Sequence, residues 1–513
     1  MLVYIIVASV ARMVGPSRCR KTETETAVRV PRLVLLAGLI LFAFQVRLWA
    51  EPVEDTSLGK NIAGILSTPL LEGASVGISV VSLPDEKILF SRNSDRLFIV
   101  ASNMKLLTTA AALSSVGPEY QFKTTVYRRG DVLESGVLSG DIIVKGGGDP
   151  NISGRFYEGR STAVLERWAA ALSDAGITEV SGDIVADDTC FDREYIHPNW
   201  PKAQISRWYC APISGLSFND NCIELRALPG SNGTVEIIEE PSTKYVTVHN
   251  TCRLTKKKKD AQFIINKKPG SNEIFVSGEV NSRKLPSKHF ITVDNPPLFL
   301  ASVFKEVLER QGIKVHGQVR LISAEDGDSL LPLEELISTV STMAQSVEVA
   351  NTNSQNFYAE QILKTLGMEI KGEGSFAAGQ EVLKEFMLEL GYPPDRYRID
   401  DGSGLSRENR LSPRMIVDIL SFMYRHEEGN VFYSSLSESG ADGTLHNRLK
   451  EEPYKGRVKA KTGYISKASA LSGYVETVSD KTLAFSILIN DFKVSNSEIK
   501  QIQDSICKVL VSY

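Results

Sequence analysis

Ala101-Ser102-Asn103-Met104-Lys105-Leu106-Leu107-Thr108-Thr109-Ala110-Ala111-Ala112-Leu113 is the stretch on which the fold turns. It is rich in Ala, Leu, Met and Lys, which lose little on entering a helix, and it holds neither Gly nor Pro. A buried helix is predicted. Upstream, Val76, Ile78 and Val80 alternate, Pro84-Asp85-Glu86 turns the chain and Lys87 to Phe90 resumes, the pattern of a hairpin. The other end mirrors this: Val458, Ala460 and Thr462 alternate, and Ala468 to Thr477 and Lys481 to Asn490 form a hairpin around Ser479-Asp480. A last helix begins at Ser495, with Ile499, Ile502, Ile506, Val509 and Leu510 at helical spacing. Strands from both termini joining one antiparallel sheet flanked by helices make an α+β arrangement.

Between these halves, further helices are predicted over Phe357 to Leu366, Phe376 to Leu390 and Pro413 to Tyr424. For the last of these Ser412 is a plausible N-cap and Pro413 suits the first turn. From about Gln121 to Ala324 the pattern changes to short strands with Gly/Pro punctuation: Ser139 to Val144, the turn at 146–150, Gly182 to Ala186, and Ile274 to Val280. Helical stretches at Thr162 to Ala175 and Pro297 to Gln311 interrupt them. The reading is a core in two parts, 51–120 and 328–513, split by a β-rich insertion at 121–327 that holds two nested subdomains.

Residues 1–50 read as an address. Arg18, Arg20, Lys21, Arg29 and Arg32 precede the apolar run Leu33 to Val46, and Leu48-Trp49-Ala50 then precedes Glu51-Pro52. A signal peptide cleaved after Ala50 is expected, with Met13 as a second candidate start. An uncleaved anchor is the alternative, and peripheral membrane association stays open with it. Either way the bulk of the chain lies outside the cytoplasm. Across 513 residues the formal net charge is −4, so no basic field exists to attract a phosphate backbone, and nucleic acid is excluded as a partner. In an oxidising compartment the short separation of Cys210 and Cys222 predicts a disulfide. Cys190 and Cys252 are candidates for a second, with Cys507 left over. No CxxC pair or paired histidine spacing suggests zinc, so neither metal nor cofactor is expected.

A serine with a lysine three residues later can carry nucleophilic chemistry, because positions i and i+3 share a helix face and the amine can reach the hydroxyl. The pattern occurs several times, at Ser57, Ser102, Ser302 and Ser497 among others, but only Ser102 with Lys105 opens a long apolar helix after a hairpin. Ser354-Gln355-Asn356 lies between helical segments, and Lys461-Thr462-Gly463 lies on a strand and occurs once. Each element is weak alone. Together, in this order and context, they match the joint signature of β-lactamases and penicillin-binding proteins.

With these motifs, and with Arg96 to Ser102, Gly147-Gly148-Asp149-Pro150, Asp294-Asn295-Pro296-Pro297, Asp401-Gly402-Ser403-Gly404-Leu405-Ser406, Asp442-Gly443-Thr444-Leu445 and Ser469 to Tyr474, the chain resembles one particular family. It is the class C low-molecular-mass penicillin-binding proteins, the D-alanyl-D-alanine carboxypeptidase/endopeptidase family. That resemblance implies the penicillin-recognising serine enzyme fold, with a large insertion between the first two motifs. Peptidoglycan stem peptides and β-lactam antibiotics would be its substrates and acylating agents.

Ser102 would attack the carbonyl of the penultimate D-alanine. Lys105, buried near the ammonium of Lys461, would have its pKa drawn from about 10.4 toward neutrality and take the Ser102 proton. Ser354 would relay a proton to the leaving amine and Asn356 would hold the substrate amide. Lys461 and Thr462 would bind the terminal carboxylate, and the oxyanion would sit between the N–H groups of Ser102 and Tyr464 beyond Gly463.

Two positions depart from the family pattern: Gln355 is larger than the usual middle residue, and Tyr464 stands where a small hydroxyl residue is usual. Arg407 is a candidate for gripping a substrate carboxylate, with a solvated loop arginine as the alternative. Asp149 and Asp401 read as turn formers and His446 as structural. Two rivals are weaker. Gly73-Ala74-Ser75-Val76-Gly77 fits the spacing of a hydrolase nucleophile, but a strand follows it where a helix should. A catalytically impaired penicillin-binding scaffold is the other, and Ser102, Lys105, Ser354 and Lys461 are all intact against it.

Overall fold

The computed structural model describes residues 56–513 except 84, 257–261 and 328–330. The expected signal peptide and the Pro84 position of the first turn lie outside the described residues. Six antiparallel strands form the central sheet, in the order Ser437–Glu438, Val458–Ile465, Ala468–Glu476, Thr482–Asn490, Ser75–Ser82 and Lys87–Arg92. Early and late strands of the described residues meet in its middle, where Ser75 stands opposite Asn490 and Ser82 opposite Leu483. Period-two alternation sorts the side chains. Leu471, Val475, Phe485, Ile487 and Ile489 face the helices Ser57–Leu66 and Asn496–Val511. Ala470, Tyr474, Ala484 and Leu488 face the other way, toward the Met104–Ser115 helix. Full burial of each large apolar side chain contributes about 1.5–3 kcal/mol.

The Met104–Ser115 helix is buried from Met104 to Leu113, as its composition requires. It packs against Asn356–Leu366, Phe376–Glu389 and Pro413–Arg425, the last capped by Ser412 Oγ accepting from the Met415 N–H at 3.2 Å. The Asn356 helix starts one residue earlier than its apolar pattern indicates, which places the last residue of the Ser-Gln-Asn motif in its first turn.

After the Met104–Ser115 helix the chain enters a second sheet through Gln121–Val132, which pairs antiparallel with both Val137–Lys145 and Leu333–Thr342. The departing and returning segments are thus hydrogen-bonded neighbours. Helices Ala163–Asp174 and Pro296–Arg310 cover this sheet, with Trp168 and Phe304 in edge contact at 5.5 Å. Two smaller sheets complete the segment. One joins Ser287–Thr292, Cys222–Pro229 and Val235–Glu240; the other contains Phe263–Lys267 and Glu273–Asn281.

The cysteine expectation is corrected here, because Cys190, Cys210, Cys222, Cys252 and Cys507 are all free thiols. Short separation along the chain does not bring Cys210 and Cys222 face to face. Cys210 ends a short turn and feels Asp401, whereas Cys222 begins a strand and feels Asp220, Lys267 and Arg155. Nor do Cys190 and Cys252 meet: the Cys190 thiol points to the Gly215 carbonyl and that of Cys252 to the Arg253 carbonyl. Among the described residues no helix is long and apolar enough to cross a membrane.

Candidate active site

Ser102 sits in a single 3-10 turn, Ala101–Asn103, that feeds the buried helix. Ala101 is held at φ 46°, a left-handed conformation that costs an alanine about 1–2 kcal/mol. Two glycines admit other backbones against this turn. A Cβ on Gly404, at φ +81°, would lie 1.8 Å from the Ala101 carbonyl oxygen, and one on Gly463 would lie 3.1 Å from the Ser102 nitrogen. The Asp401–Ser406 loop and the Val458–Ile465 strand therefore close on the serine from two sides.

One helical turn on, the fully buried Lys105 Nζ is 3.1 Å from Ser102 Oγ and donates to Asn356 Oδ1 and the Ser403 carbonyl, both at 2.7 Å. Asn356 cannot turn its amide over, because its Nδ2 donates to the Tyr209 carbonyl at 2.8 Å. Burial lowers the Lys105 pKa to about 7, against the opposing pull of Asp401 and Glu360. A neutral amine has two N–H bonds and one lone pair. The two carbonyl acceptors take the N–H bonds, and the lone pair is left for the Ser102 proton.

Lys461 Nζ donates to Ser354 Oγ at 2.7 Å and to the Thr462 carbonyl at 2.9 Å. Burial, and then the neighbouring Lys105, push its pKa well below the ordinary lysine value. Ser354, like Ala101, has a left-handed backbone, at φ 58°. The three motifs expected from sequence thus converge, and Ser102, Ser354, Asn356, Thr462, Gly463 and Tyr464 line one cavity of about 520 Å³. Tyr464 is 54% exposed, its ring at the cavity mouth. Arg407 does not line this cavity; it is exposed, and its Nη1 donates to the carbonyl of Ser466, a lining residue, at 2.6 Å.

Other groups of the site lie outside the motifs. Glu360, fully buried, accepts the N–H of Gly402 at 3.1 Å and of Ser403 at 2.7 Å, holding the loop whose carbonyl receives Lys105. Burial and then Asp401 push its pKa up to about 8. Glu360 follows Asn356 by four residues on one helix, so helical periodicity is the signal that could have flagged it. Asp401 forms its turn from the inside, accepting from the Gly404 and Ser406 N–H groups, Asn409 Nδ2 and Trp200 Nε1. Asn103 ties the nucleophile turn to the sheet: its Nδ2 donates to the Lys461 carbonyl at 2.8 Å and its Oδ1 accepts from Ser472 Oγ at 2.6 Å. Trp208 and Tyr209, from the stretch between the first two motifs, wall the cavity.

Gln355 has a partner that explains its type: its Nε2 donates to Asp220 Oδ2 at 3.0 Å, where an acidic residue would meet like charge. Asp149 lies away from the cavity, buried against Ser341, which donates to it at 2.6 Å. His446 is exposed with its Nδ1 near the Ala441 carbonyl. Ser75 stands at the start of a strand, its hydroxyl donating to the Asp491 carboxylate and accepting from Arg96, and it does not line the cavity that opens on Ser102.

Similarity to known proteins agrees with this geometry. A curated D-alanyl-D-alanine carboxypeptidase of Actinomadura sp. (strain R39) is 32% identical, across 97% of this chain and 93% of its own. The D-alanyl-D-alanine carboxypeptidase DacB of Haemophilus influenzae is 23% identical, across 85% and 89%. Among solved structures, penicillin binding protein 4 (dacB) of Haemophilus influenzae matches with a TM-score of 0.75 at 21% identity, over 88% of this chain and 100% of that one. The model of the D-Ala-D-Ala carboxypeptidase 3 (S13) family matches residues 58–513, and the chain belongs to that family.

Proposed function

We propose that this protein is a serine D-alanyl-D-alanine carboxypeptidase/endopeptidase that acts on peptidoglycan stem peptides outside the cytoplasm and is acylated by β-lactams at Ser102. The observation that carries the assignment is the Lys105 amine, fully buried and 3.1 Å from the Ser102 hydroxyl, with both its N–H bonds engaged by fixed carbonyls. Lys105 takes the proton as Ser102 attacks the penultimate D-alanine carbonyl. The N–H groups of Ser102 and Tyr464 receive the oxyanion, a role favoured by the close approach that Gly404 and Gly463 permit. Ser354, held by Lys461, passes a proton to the leaving amine, and water then hydrolyses the acyl-enzyme. Asn356 orients Lys105 and the substrate amide, while Lys461 and Thr462 meet the terminal carboxylate. On the same reading 121–327 is an insertion into a core made of 51–120 and 328–513. The antiparallel return of Leu333–Thr342 beside Gln121–Val132 supports that division.

Penicillin treatment followed by mass spectrometry of the peptides tests the assignment. The added mass is expected on the peptide containing Ser102, Ser102→Ala is expected to lose both the adduct and D-alanine release, and Ser75→Ala to keep both. Label surviving in Ser102→Ala, or found on Ser75, refutes it.

A further inference from the structure

The cavity that opens on Ser102 does not end at the Lys-Thr-Gly strand. It continues past Thr462 and Tyr464 to Thr444, Arg448, Lys500 and Gln503, below the C-terminal helix. Alternation along the strand explains the extension: Lys461 turns toward Ser354, so Thr462 and Tyr464 turn to the opposite face, beside Ser469 and Leu471 of the neighbouring strand. Gln503 links that face to Arg448. Its Nε2 donates to Ser469 Oγ at 3.3 Å, and its Oε1 accepts from Arg448 Nη2 at 3.2 Å.

Arg448 is only 8% exposed. Its Nε donates to Asp504 at 2.9 Å and its Nη2 also to the Lys500 carbonyl, but its Nη1 is buried with no partner. Arg448 thus brings to the cavity wall a guanidinium with one N–H group still unpaired. Asp504 is ion-paired with Arg448, its Oδ1 2.8 Å from Nη2, and Lys500 also lines the lobe, so two cations stand there against one carboxylate. A guanidinium cannot lose its proton, whereas burial and the neighbouring Lys105 work against the charge that Lys461 brings to the terminal carboxylate.

We propose that Arg448 is a specificity-determining residue of this site: from the far lobe of the cavity it supplies the permanent positive charge that selects acyl donors whose leaving group carries a carboxylate. The proposal rests on acylation at Ser102. It assigns to Arg448 selection by charge, and leaves proton transfer to Lys105 and Ser354.

The test compares two donors with the same acyl group, a peptide ending in D-alanyl-D-alanine and a thioester whose leaving group is uncharged. Arg448→Gln is expected to lower kcat/KM for the peptide ten- to a hundredfold, the range of one charge-assisted hydrogen bond, and to leave the thioester within about twofold. Asp504→Asn, which removes the opposing charge, is expected to raise the peptide-to-thioester ratio severalfold, and it decides alone where Arg448→Gln does not fold. Equal losses on both donors, or a ratio unmoved by either substitution, overturn the assignment. A wild-type protein that reacts with neither donor instead sinks the acylation of Ser102 and this proposal with it.

Discussion

Gly404→Ala should slow acylation about a hundredfold without unfolding the protein, although the residue touches no proton in the reaction. The added Cβ would lie 1.8 Å from the Ala101 carbonyl oxygen and 2.4 Å from its carbon. Carbon and carbonyl oxygen that are not bonded approach to about 3.3 Å, so the two segments must part by more than about 1 Å. The Gly404 side cannot yield cheaply: its N–H is bonded to Asp401 Oδ1 at 2.7 Å, and Asp401 is fixed by three further donors. The segment that gives way is the strained turn at Ala101, and Ser102 moves with it. A displacement of about 1 Å at a reacting group costs on the order of 10² in rate, or ~2.7 kcal/mol of barrier. Gly391 is the control, with φ +89° and nothing within 4 Å of an added Cβ. Gly391→Ala carries a similar backbone penalty of about 1 kcal/mol, and it should lower the melting temperature while acylation stays intact. The assay is the rate of covalent labelling by a fluorescent penicillin, read beside thermal melting. Full-rate labelling of Gly404→Ala, or equal slowing by both substitutions, would refute the reasoning.

The remaining predictions follow from protonation and from the thiols. Because burial brings the Lys105 pKa to about 7 and the neutral amine is the proposed base, the acylation rate should rise with pH through about 7 and level off above it. Lys105→Arg, locked as a cation, should abolish the reaction at every pH; a rate independent of pH between about 5 and 9 would exclude this lysine as the base. Cys210 and Cys222 should both alkylate when the unreduced protein is unfolded, and reductant should leave the melting curve unchanged. A disulfide-linked peptide containing both would contradict the structure.

The chain itself determined whatever depends on local order. The Ala/Leu run from Ala101 makes the helix, alternation makes the sheet strands, and i to i+3 spacing puts Lys105 beside Ser102. These relations act over a few residues, so composition and period suffice to read them. The motifs were legible for the same reason, each being a short pattern on an identifiable element. Other features needed the chain folded. The Lys105 amine owes its lowered pKa to burial, which outweighs the opposing pull of Asp401 and Glu360, and Gln355 owes its type to Asp220, 135 positions away in the chain. Asp401 could be read as a turn former, but not that its carboxylate sits inside the turn that aims the Ser403 carbonyl at the base. Arg448, one arginine among many, stands out only as the buried guanidinium with an unmatched N–H in the wall of the site. Cys210 and Cys222 mark the limit of sequence proximity: two thiols are joined by the direction of their side chains, and a strand start and the end of a turn point them to different neighbours. Burial, electrostatic neighbourhood and side-chain direction are properties of the packed interior, and only tertiary structure sets them.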